Sequence, residues 1–185
     1  MQVTSTPLLG LQVIIPQIIQ DHRSYFCENY HEKKLAKLGI HTRFVQENQS
    51  FSRQGTIRGL HYQLVPHAQA KLIRVLAGKI WDVAVDLRQG TDTFGQWEGI
   101  ILSAANKKQL LIPRGYAHGF AVLSQQATVL YKCDAFYCPA AEAGIHFLDP
   151  TLAIDWKLGT QQPIVLEKDK QLPSFQAATM NFTAV

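Results

Sequence analysis

The sequence predicts a mainly β protein, folded as an antiparallel sandwich or jelly roll with a few short helices. Eight short runs of strand-like composition follow one another, separated by Gly, Pro, Asn or Ser. Helical spacing is absent between them, so no helices are available to connect parallel strands. The chain has 185 residues, of which 46% are hydrophobic, and this suffices for a sizeable core. We therefore expect a single domain over residues 1–185.

An apolar run near the start of the chain, Leu9–Ile19, contains Pro16. Because proline cannot complete a central ladder, this run is predicted to form an edge strand or two short strands, available for pairing with another subunit. Between Tyr30 and Leu38, lysines and leucines recur at helical spacing, and Gly39 follows at the position of a C-terminal stop. This segment is the one helix predicted in the first two thirds of the chain.

The predicted strands follow this helix at regular intervals. In Ile80–Leu87 every second residue from Trp81 is apolar, whereas the other face carries Asp82 and Asp86. Two carboxylates on one strand face indicate a polar interior, although a solvated outer face would show the same pattern. Residues 157–185 are predicted to form a loop-rich tail. The eight strands are Thr42–Gln49, Thr56–Gln63, Lys71–Leu76, Ile80–Leu87, Gly95–Leu102, Gln109–Ile112, Gly119–Leu123 and Ala127–Cys133.

The stretch Arg58–Lys71 places two histidines between two cations. In a strand, His61 and Gln63 share one face with Gly59, and Arg58 points to the opposite face. We therefore expect His61 in the interior, with open space beside it at Gly59. Histidine titrates near neutral pH, so one held on a rigid strand is suited to accept a proton, although many strand histidines serve only in packing.

Charge and cysteine content narrow the class of partner. The net charge is +4 without any long block of Lys/Arg, which favours an acidic small molecule over nucleic acid. Cys27, Cys133 and Cys138 show neither metal-ligand spacing nor the even number of a disulfide framework, and Cys133 is expected to pack as a small hydrophobe. The first twenty residues lack the features of a signal peptide, and their apolar run is too short to span a membrane. We expect a cytoplasmic protein.

Eight short motifs occur in order along the chain. Together they resemble the dTDP-4-dehydrorhamnose 3,5-epimerase family, and the resemblance extends from about Leu9 to Leu172. It implies a cupin-like jelly roll and an isomerase of dTDP-L-rhamnose synthesis that uses neither metal nor cofactor. The motifs are F-V-Q-E-N-Q-S at Phe44–Ser50, R-G-L-H-Y-Q at Arg58–Gln63, H-A-Q-A-K-L-I-R at His67–Arg74, W-D-V-A-V-D-L-R at Trp81–Arg88, T-F-G-Q-W at Thr93–Trp97, I-P-R-G-Y-A-H-G-F at Ile112–Phe120, L-Y-K-C at Leu130–Cys133 and L-E-K-D at Leu166–Asp169.

The family's reaction explains the residue types that the resemblance selects. Its substrate, dTDP-4-dehydro-6-deoxy-D-glucose, has a ketone at carbon 4 that acidifies the hydrogens on carbons 3 and 5. Inverting each centre requires a base on one side of the sugar and an acid on the other. By resemblance, His61 is the base, Tyr131 is the acid, and Asp169 orients His61 and stabilises its charged form.

The enolate formed at oxygen 4 needs positive charge or hydrogen-bond donors close to it. By resemblance, Lys71 and His118 supply them, and Asp82 orients His118.

The resemblance also implies how the nucleotide is bound. Arg23, Arg58 and Lys168 match positions that bind the diphosphate, and Tyr137 matches the residue that stacks on thymine. The N-terminal strand region, residues 1–26, is exchanged between the subunits of a homodimer in this family, which would place Arg23 and Phe26 in the partner's site. The remaining expected substrate contacts are Glu28, Gln46, Glu47, Asn48 and Glu142.

Two departures from the family motifs concern the backbone. Ser24 and Ala70 stand where glycine is usual, beside Arg23 and Lys71. Glycine permits positive φ and close approach, so these substitutions raise the question of a changed local backbone and a shifted substrate preference.

Three other functions are compatible with the sequence. Relatives that epimerise one carbon, or that act on amino-deoxy sugars, use the same base. A metal-dependent cupin would use His61, His67 and His118, but Pro66 separates the first two, unlike the compact H-x-H of metal cupins. A non-catalytic sugar-nucleotide-binding module would not need both an acid and a base.

Overall fold

Thirteen short strands and little helix make up the computed structural model, which describes residues 1–183. The helices are α1 (Glu32–Lys37) and α2 (Glu167–Lys170), and within residues 1–183 neither is long enough to cross a membrane. The strands are β1 (Gln2–Ser5), β2 (Gln12–Ile15), β3 (Ile18–Asp21), β4 (Ser24–Cys27), β5 (Gln46–Arg53), β6 (Ile57–Gln63), β7 (Lys71–Ala77), β8 (Lys79–Asp86), β9 (Trp97–Ser103), β10 (Gln109–Ile112), β11 (Tyr116–Val122), β12 (Gln126–Cys133) and β13 (Glu142–Gly144).

The strands form two main antiparallel sheets, which confirms the predicted jelly roll. One sheet has the order β1-β2-β10-β7-β12-β5, and the other has the order β13-β6-β11-β8-β9. Apolar side chains from both sheets, among them Ile73, Leu110, Ile80 and Val122, form a shared core. Within residues 1–183, strands β3 and β4 pair only with each other, in a separate hairpin.

Strand β8 has both of its faces covered. Val83 and Val85 lie in a second core beneath the C-terminal segment, where Trp156 and Phe182 pack. The opposite face of β8, which carries Ile80 and Asp82, turns toward the interior between the two sheets. Asp82 and Asp86 are both fully buried, so the polar interior predicted from their alternation is correct and the solvated outer face is wrong.

Helix α1 covers the outer face of the larger sheet. Leu35 and Ile40 pack there against Leu72 and Leu111, forming a third apolar cluster. Gly39 ends the helix at φ +85°, a conformation that glycine adopts without a side-chain penalty. The predicted helix and its glycine stop are therefore confirmed.

The N-terminal prediction is correct in part. The run Leu9–Ile19 splits at Pro16 into β2 and β3, as one alternative proposed, but β2 lies between β1 and β10 and is not an edge. Proline follows the last residue of β2, so it removes no ladder hydrogen bond. Strands β1 and β13 were not predicted, and β5 begins and ends four residues later than the predicted strand Thr42–Gln49.

Candidate active site

His61 lies on β6 with its side chain turned toward the interior. Its Nε2 atom is 2.9 Å from Oδ1 of Asp169, which lies on α2. Asp169 is 3% exposed, so the short helix is packed against β6 at this point and its carboxylate is removed from bulk water. Among the four consecutive charged residues of α2, Glu167–Lys170, Asp169 is thus the buried one.

The Asp169 carboxyl is held in its ionised form. Burial, the largest effect, acts to raise its pKa, but the hydrogen bond and charge of His61 and the backbone N–H of Gly59 together outweigh burial and lower it. A buried carboxylate beside a histidine ring fixes the ring's orientation and stabilises the protonated imidazole. This pair is therefore equipped to accept a proton.

A second histidine–carboxylate pair lies on the neighbouring strands. His118 on β11 stands directly opposite His61 in the ladder, and its Nε2 atom is 2.6 Å from Oδ1 of Asp82 on β8. Both residues are buried, and the other oxygen of Asp82 has no hydrogen-bond partner within residues 1–183. Because Asp82 fixes the His118 ring, the position of His118 relative to His61 is set by the sheet itself.

The two histidine-bearing strands approach each other very closely. A Cβ atom added to Gly59 would lie 2.5 Å from the backbone of both His118 and Gly119, and φ of Gly59 is +115°. The space beside His61 that the sequence suggested at Gly59 is therefore filled by the adjacent strand, and that expectation is wrong. Glycine is required here for close packing and for its backbone conformation.

Tyr131 and Lys71 lie on the opposite wall. They belong to β12 and β7 of the larger sheet, on the face that also carries the core residues Val129 and Ile73. Burial raises the pKa of Tyr131, although the charge of Arg58 opposes this, so the hydroxyl is protonated at neutral pH. His61 and Tyr131 thus line the same cavity from different sheets.

The Lys71 amine is strongly influenced by its surroundings. Burial lowers its pKa, and nearby groups that include Asp82 and Glu142 partly offset this effect. A cation with little surrounding water interacts strongly with any negative charge that develops next to it.

These side chains line one continuous cavity in two parts. The larger part has a volume of about 760 Å³ and the adjoining part about 410 Å³, within the range of small-molecule sites. His61, Lys71 and Tyr131 line both parts, so they stand at the junction.

Arg58 lines the larger part together with His61, contrary to strict alternation. The prediction that the two residues point to opposite faces is wrong because the pairing of β6 with β11 shifts register between His118 and Phe120. This irregularity adds one residue to the spacing and turns Arg58 to the cavity side. Its guanidinium is then fixed by Ser52 Oγ at 2.9 Å and by the carbonyl of Phe51 at 3.3 Å.

At the rim of the smaller part, a tyrosine is hydrogen-bonded to a pair of oppositely charged side chains. The hydroxyl of Tyr137 donates to Glu142 at 2.9 Å, and Lys168 donates to the same carboxylate at 3.2 Å. The hydrogen bond to Glu142 raises the pKa of both Tyr137 and Lys168. The Tyr137 side chain is half exposed, so one face of its ring is available for stacking.

Eleven of the fifteen site residues predicted from the sequence line this cavity, and four do not. Arg23, Phe26 and Glu28 lie on or next to the separate hairpin, outside the cavity lining of this chain. Glu47 turns outward and pairs with Lys132. The eleven lining residues are His61, Tyr131, Asp169, Lys71, His118, Arg58, Lys168, Gln46, Asn48, Tyr137 and Glu142.

The three histidines of the metal-cupin alternative do not meet. His67 is exposed and lies outside the cavity that His61 and His118 line. Within residues 1–183, no group of three or more His, Cys, Asp or Glu side chains is arranged to hold a metal ion.

Part of the cavity wall was not predicted from the sequence. Ser52, which orients Arg58, and the tail residues Ile164, Val165 and Leu166 all line the larger part. The tail reaches this position because Ile164 exchanges backbone hydrogen bonds with Gly55 and Ile57. The available signal was the uninterrupted apolar run of residues 164–166.

The departures at Ser24 and Ala70 have different outcomes. Ser24 has φ +132°, a conformation that favours glycine, so the backbone has kept the shape that the usual residue allows. Ala70 has no positive φ and is buried, with its N–H bonded to Asp134 at 2.7 Å. The backbone beside Lys71 therefore does not require glycine at position 70 for its φ angle.

Fold and site together define a cupin-type jelly roll equipped for acid–base chemistry on a small molecule. A sequence model described as dTDP-4-dehydrorhamnose 3,5-epimerase matches residues 5–177. The chain belongs to the dTDP-4-dehydrorhamnose 3,5-epimerase family.

Individual relatives agree with this membership. The dTDP-4-dehydrorhamnose 3,5-epimerase of Pseudomonas aeruginosa is 45% identical, covering 96% of this chain and 98% of that protein. The crystal structure of dTDP-6-deoxy-D-glucose-3,5-epimerase from Legionella pneumophila, in complex with dTDP-4-keto-L-rhamnose, is 48% identical with a TM-score of 0.91, covering 95% and 93%. The dTDP-4-dehydrorhamnose 3-epimerase of Streptomyces niveus is 40% identical, covering 87% and 77%.

Proposed function

We propose that this protein epimerises carbons 3 and 5 of dTDP-4-dehydro-6-deoxy-D-glucose, giving dTDP-4-dehydro-L-rhamnose. One observation carries the assignment of roles: the His61–Asp169 pair and Tyr131 face the same cavity from different sheets. A sugar ring lying between the sheets would present one face to each group, which is the geometry that inversion requires.

The first step is removal of a proton from carbon 3 or carbon 5 by His61. The C–H electron pair moves into the ring to form the enolate, and its negative charge accumulates on oxygen 4. Asp169 stabilises the imidazolium that results. Lys71 and His118, both lining the same part of the cavity, stabilise the enolate oxygen, and Asp82 holds His118 in position.

The second step is reprotonation from the other side. Tyr131 donates its hydroxyl proton to the carbon, the enolate collapses to the ketone, and both side chains then return to their starting states by exchange with water. Burial of Tyr131 supports this role, because the raised pKa keeps the proton on the hydroxyl until a carbanion accepts it. One base and one acid serve both carbons because the same ketone activates both.

The nucleotide is proposed to span both parts of the cavity at this junction. Arg58 and Lys168, which line the larger part, would bind the diphosphate, and Tyr137, which lines the smaller part, would stack on thymine. Gln46, Asn48 and Glu142 line that part of the cavity and are available for further contacts.

We further propose a homodimer of single-domain subunits in which residues 1–26 are exchanged. The hairpin of β3 and β4 supports this, because Ile19, Tyr25 and Phe26 are each more than half exposed. In the part of the chain that the structure describes, neither main sheet pairs with this hairpin. Arg23 and Phe26 would then complete the partner's site, and Glu28 and Glu47 would lie close to the exchanged strand. The three free cysteines support a reducing, cytoplasmic location.

The test is proton NMR in D2O with dTDP-4-dehydro-6-deoxy-D-glucose. The wild-type protein is expected to introduce deuterium at carbons 3 and 5 and to form the epimerised product. His61→Asn is expected to abolish exchange, whereas Tyr131→Phe is expected to retain exchange but to form almost no inverted product. The matched control is His67→Asn, outside the cavity, which is expected to behave like the wild type. Loss of activity in that control, or exchange at neither carbon in the wild type, would refute the proposal.

A second candidate function is epimerisation at one carbon only. A relative named as a dTDP-4-dehydrorhamnose 3-epimerase is 40% identical to this chain, and the same base and acid can serve both reactions. Deuterium at carbon 3 alone would select this function for the chain.

A further inference from the structure

The loop that carries Tyr137, residues 134–138, is held mainly by side chains. Residues 135–137 make no backbone–backbone hydrogen bond with any other part of residues 1–183. Side chains supply hydrogen-bond partners to this loop in place of other backbone groups. The partners are the side chains of three glutamines, Gln46, Gln63 and Gln69.

Gln63 makes the most extensive of these contacts. It lies on β6 two residues after His61 and is only 5% exposed. Its Nε2 atom donates to the carbonyls of His67 at 2.7 Å and Phe136 at 3.3 Å, and its Oε1 atom accepts from the N–H of Cys138 at 2.7 Å. Gln63 therefore holds the backbone on both sides of Tyr137.

The other two glutamines complete this arrangement. Gln69 donates to the carbonyl of Ala135 at 2.8 Å, and Gln46 accepts from the N–H of Tyr137 itself at 2.9 Å. All three side chains line the smaller part of the cavity beside Tyr137. The loop conformation is thus determined by groups that belong to the cavity wall.

The donors of Gln63 are fully used by the protein. Its amide nitrogen donates to the carbonyls of His67 and Phe136, which leaves no N–H for a ligand. A direct contribution to base recognition through these hydrogens is therefore absent, and the effect of Gln63 on a ligand passes through the loop.

We propose that Gln63 and Gln69 are positioning residues that set the affinity for the thymidine nucleotide through Tyr137. They hold the ring in place for stacking before the ligand arrives, so binding does not have to order the loop. This inference rests on the proposed function, because it requires Tyr137 to contact the base. The proton transfers at His61 and Tyr131 do not involve these glutamines.

A double-mutant cycle on nucleotide binding tests this inference. The dissociation constant for dTDP is measured by calorimetry in wild type, Gln63→Leu, Gln69→Leu, Tyr137→Ala and the two double variants. Each single variant is expected to weaken binding about tenfold, the scale of one lost base–aromatic stack. In the Tyr137→Ala background, the glutamine substitutions are expected to add less than about twofold, because their effect passes through the missing ring.

Turnover measurements provide the second readout. In Gln69→Leu the KM for the dTDP-sugar is expected to rise about tenfold, with a much smaller change in kcat, because stacking contributes equally to substrate and transition-state binding. Gln69→Leu removes one hydrogen bond and carries the test if the more buried Gln63→Leu fails to fold. The matched control is Gln96→Leu, which removes a similar bond to the carbonyl of Asp92 on an exposed loop.

The outcomes separate the two proposals. Wild type that neither binds dTDP nor exchanges deuterium refutes the proposed function, and the inference with it. Wild type that does both, with additive effects in the cycle or with equal losses in kcat and kcat/KM, leaves the proposed function in place and overturns the role of the glutamines.

Discussion

Replacing Asp169 by asparagine removes the negative charge beside His61 while keeping the shape of the side chain. In the proposed reaction His61 becomes a cation during each proton abstraction, and Asp169 is then its closest anion, with 2.9 Å between Nε2 and Oδ1. Asparagine keeps a polar contact but cannot stabilise that charge. The variant is therefore expected to fold and to lose activity.

The size of the loss follows from the position of the pair. Two unit charges about 4 Å apart attract by about 4 kcal/mol at an effective dielectric constant of about 20. The His61 side chain is 29% exposed, so water reduces this attraction. An effect of about 3 kcal/mol on the barrier corresponds to a decrease of about two orders of magnitude in kcat.

The assay is the rate of deuterium entry at carbons 3 and 5 at saturating substrate. Asp155→Asn is the matched control, because Asp155 is an exposed tail residue paired with Lys157. It is expected to exchange at the wild-type rate. If Asp169→Asn retains more than about a third of the wild-type rate, where about two orders of magnitude are expected, the orienting and charge-stabilising role of Asp169 is wrong.

Four further substitutions test the structural framework of the protein by urea denaturation. Gly59→Ala is expected to lower the free energy of unfolding by about 2–4 kcal/mol, because the new Cβ meets the backbone of β11 and φ is +115°. Arg88→Met removes the guanidinium that lies 2.6 Å from the fully buried Asp86 carboxylate. This substitution is expected to lower the free energy of unfolding by about 3–5 kcal/mol. Burial, the largest single effect, acts to raise the pKa of Asp86, but hydrogen bonds from Arg88 and Thr93 help to outweigh burial and lower this pKa below 3.8. The stabilisation that the Asp86 carboxylate contributes is therefore present above pH 3.8 and is lost as the pH falls through the lowered pKa. Asp86→Asn is expected to weaken this dependence of stability on acid pH. Ser24→Gly relieves the backbone strain of a serine at φ +132° and is expected to raise the free energy of unfolding by about 1 kcal/mol.

Two of these substitutions have matched controls. Gly159→Ala has positive φ but no atom near its added Cβ, so it separates backbone strain from the clash expected at Gly59. Arg114→Met breaks a more exposed ion pair with Asp134 and is expected to cost no more than about 1 kcal/mol. If Arg88→Met and Arg114→Met lowered the free energy of unfolding equally, burial would not determine the strength of these ion pairs. An unstable Ser24→Gly variant would show that the serine side chain contributes to the turn.

Local patterns in the sequence were sufficient for much of the fold. Alternation in β8 separates the core residues Val83 and Val85 from the interior carboxylates, because a strand exposes successive side chains to opposite faces whatever surrounds it. Gly39 marks the helix end for an equally local reason. The predicted strand Gln109–Ile112 agrees with β10 residue for residue.

Features that depend on distant contacts were not predictable in this way. The register shift that turns Arg58 toward the cavity arises from how β6 meets β11, and alternation within β6 cannot report it. The roles of Gln63 and Gln69 depend on a loop about 70 residues further along the chain. The placement of Asp169 beside His61 was expected from family resemblance, since nothing local in a charged tail distinguishes a buried carboxylate from a solvated one.

The separation of His61 and Asp169 along the chain has a consequence for synthesis on the ribosome. The two residues are 108 positions apart, and the carboxylate comes from the tail helix α2. At ordinary rates of translation, about 5–20 s pass between the synthesis of the histidine and that of its partner. During this interval the nascent chain contains the proposed base without its carboxylate partner, so the His61–Asp169 pair cannot form until residues 167–170 have emerged.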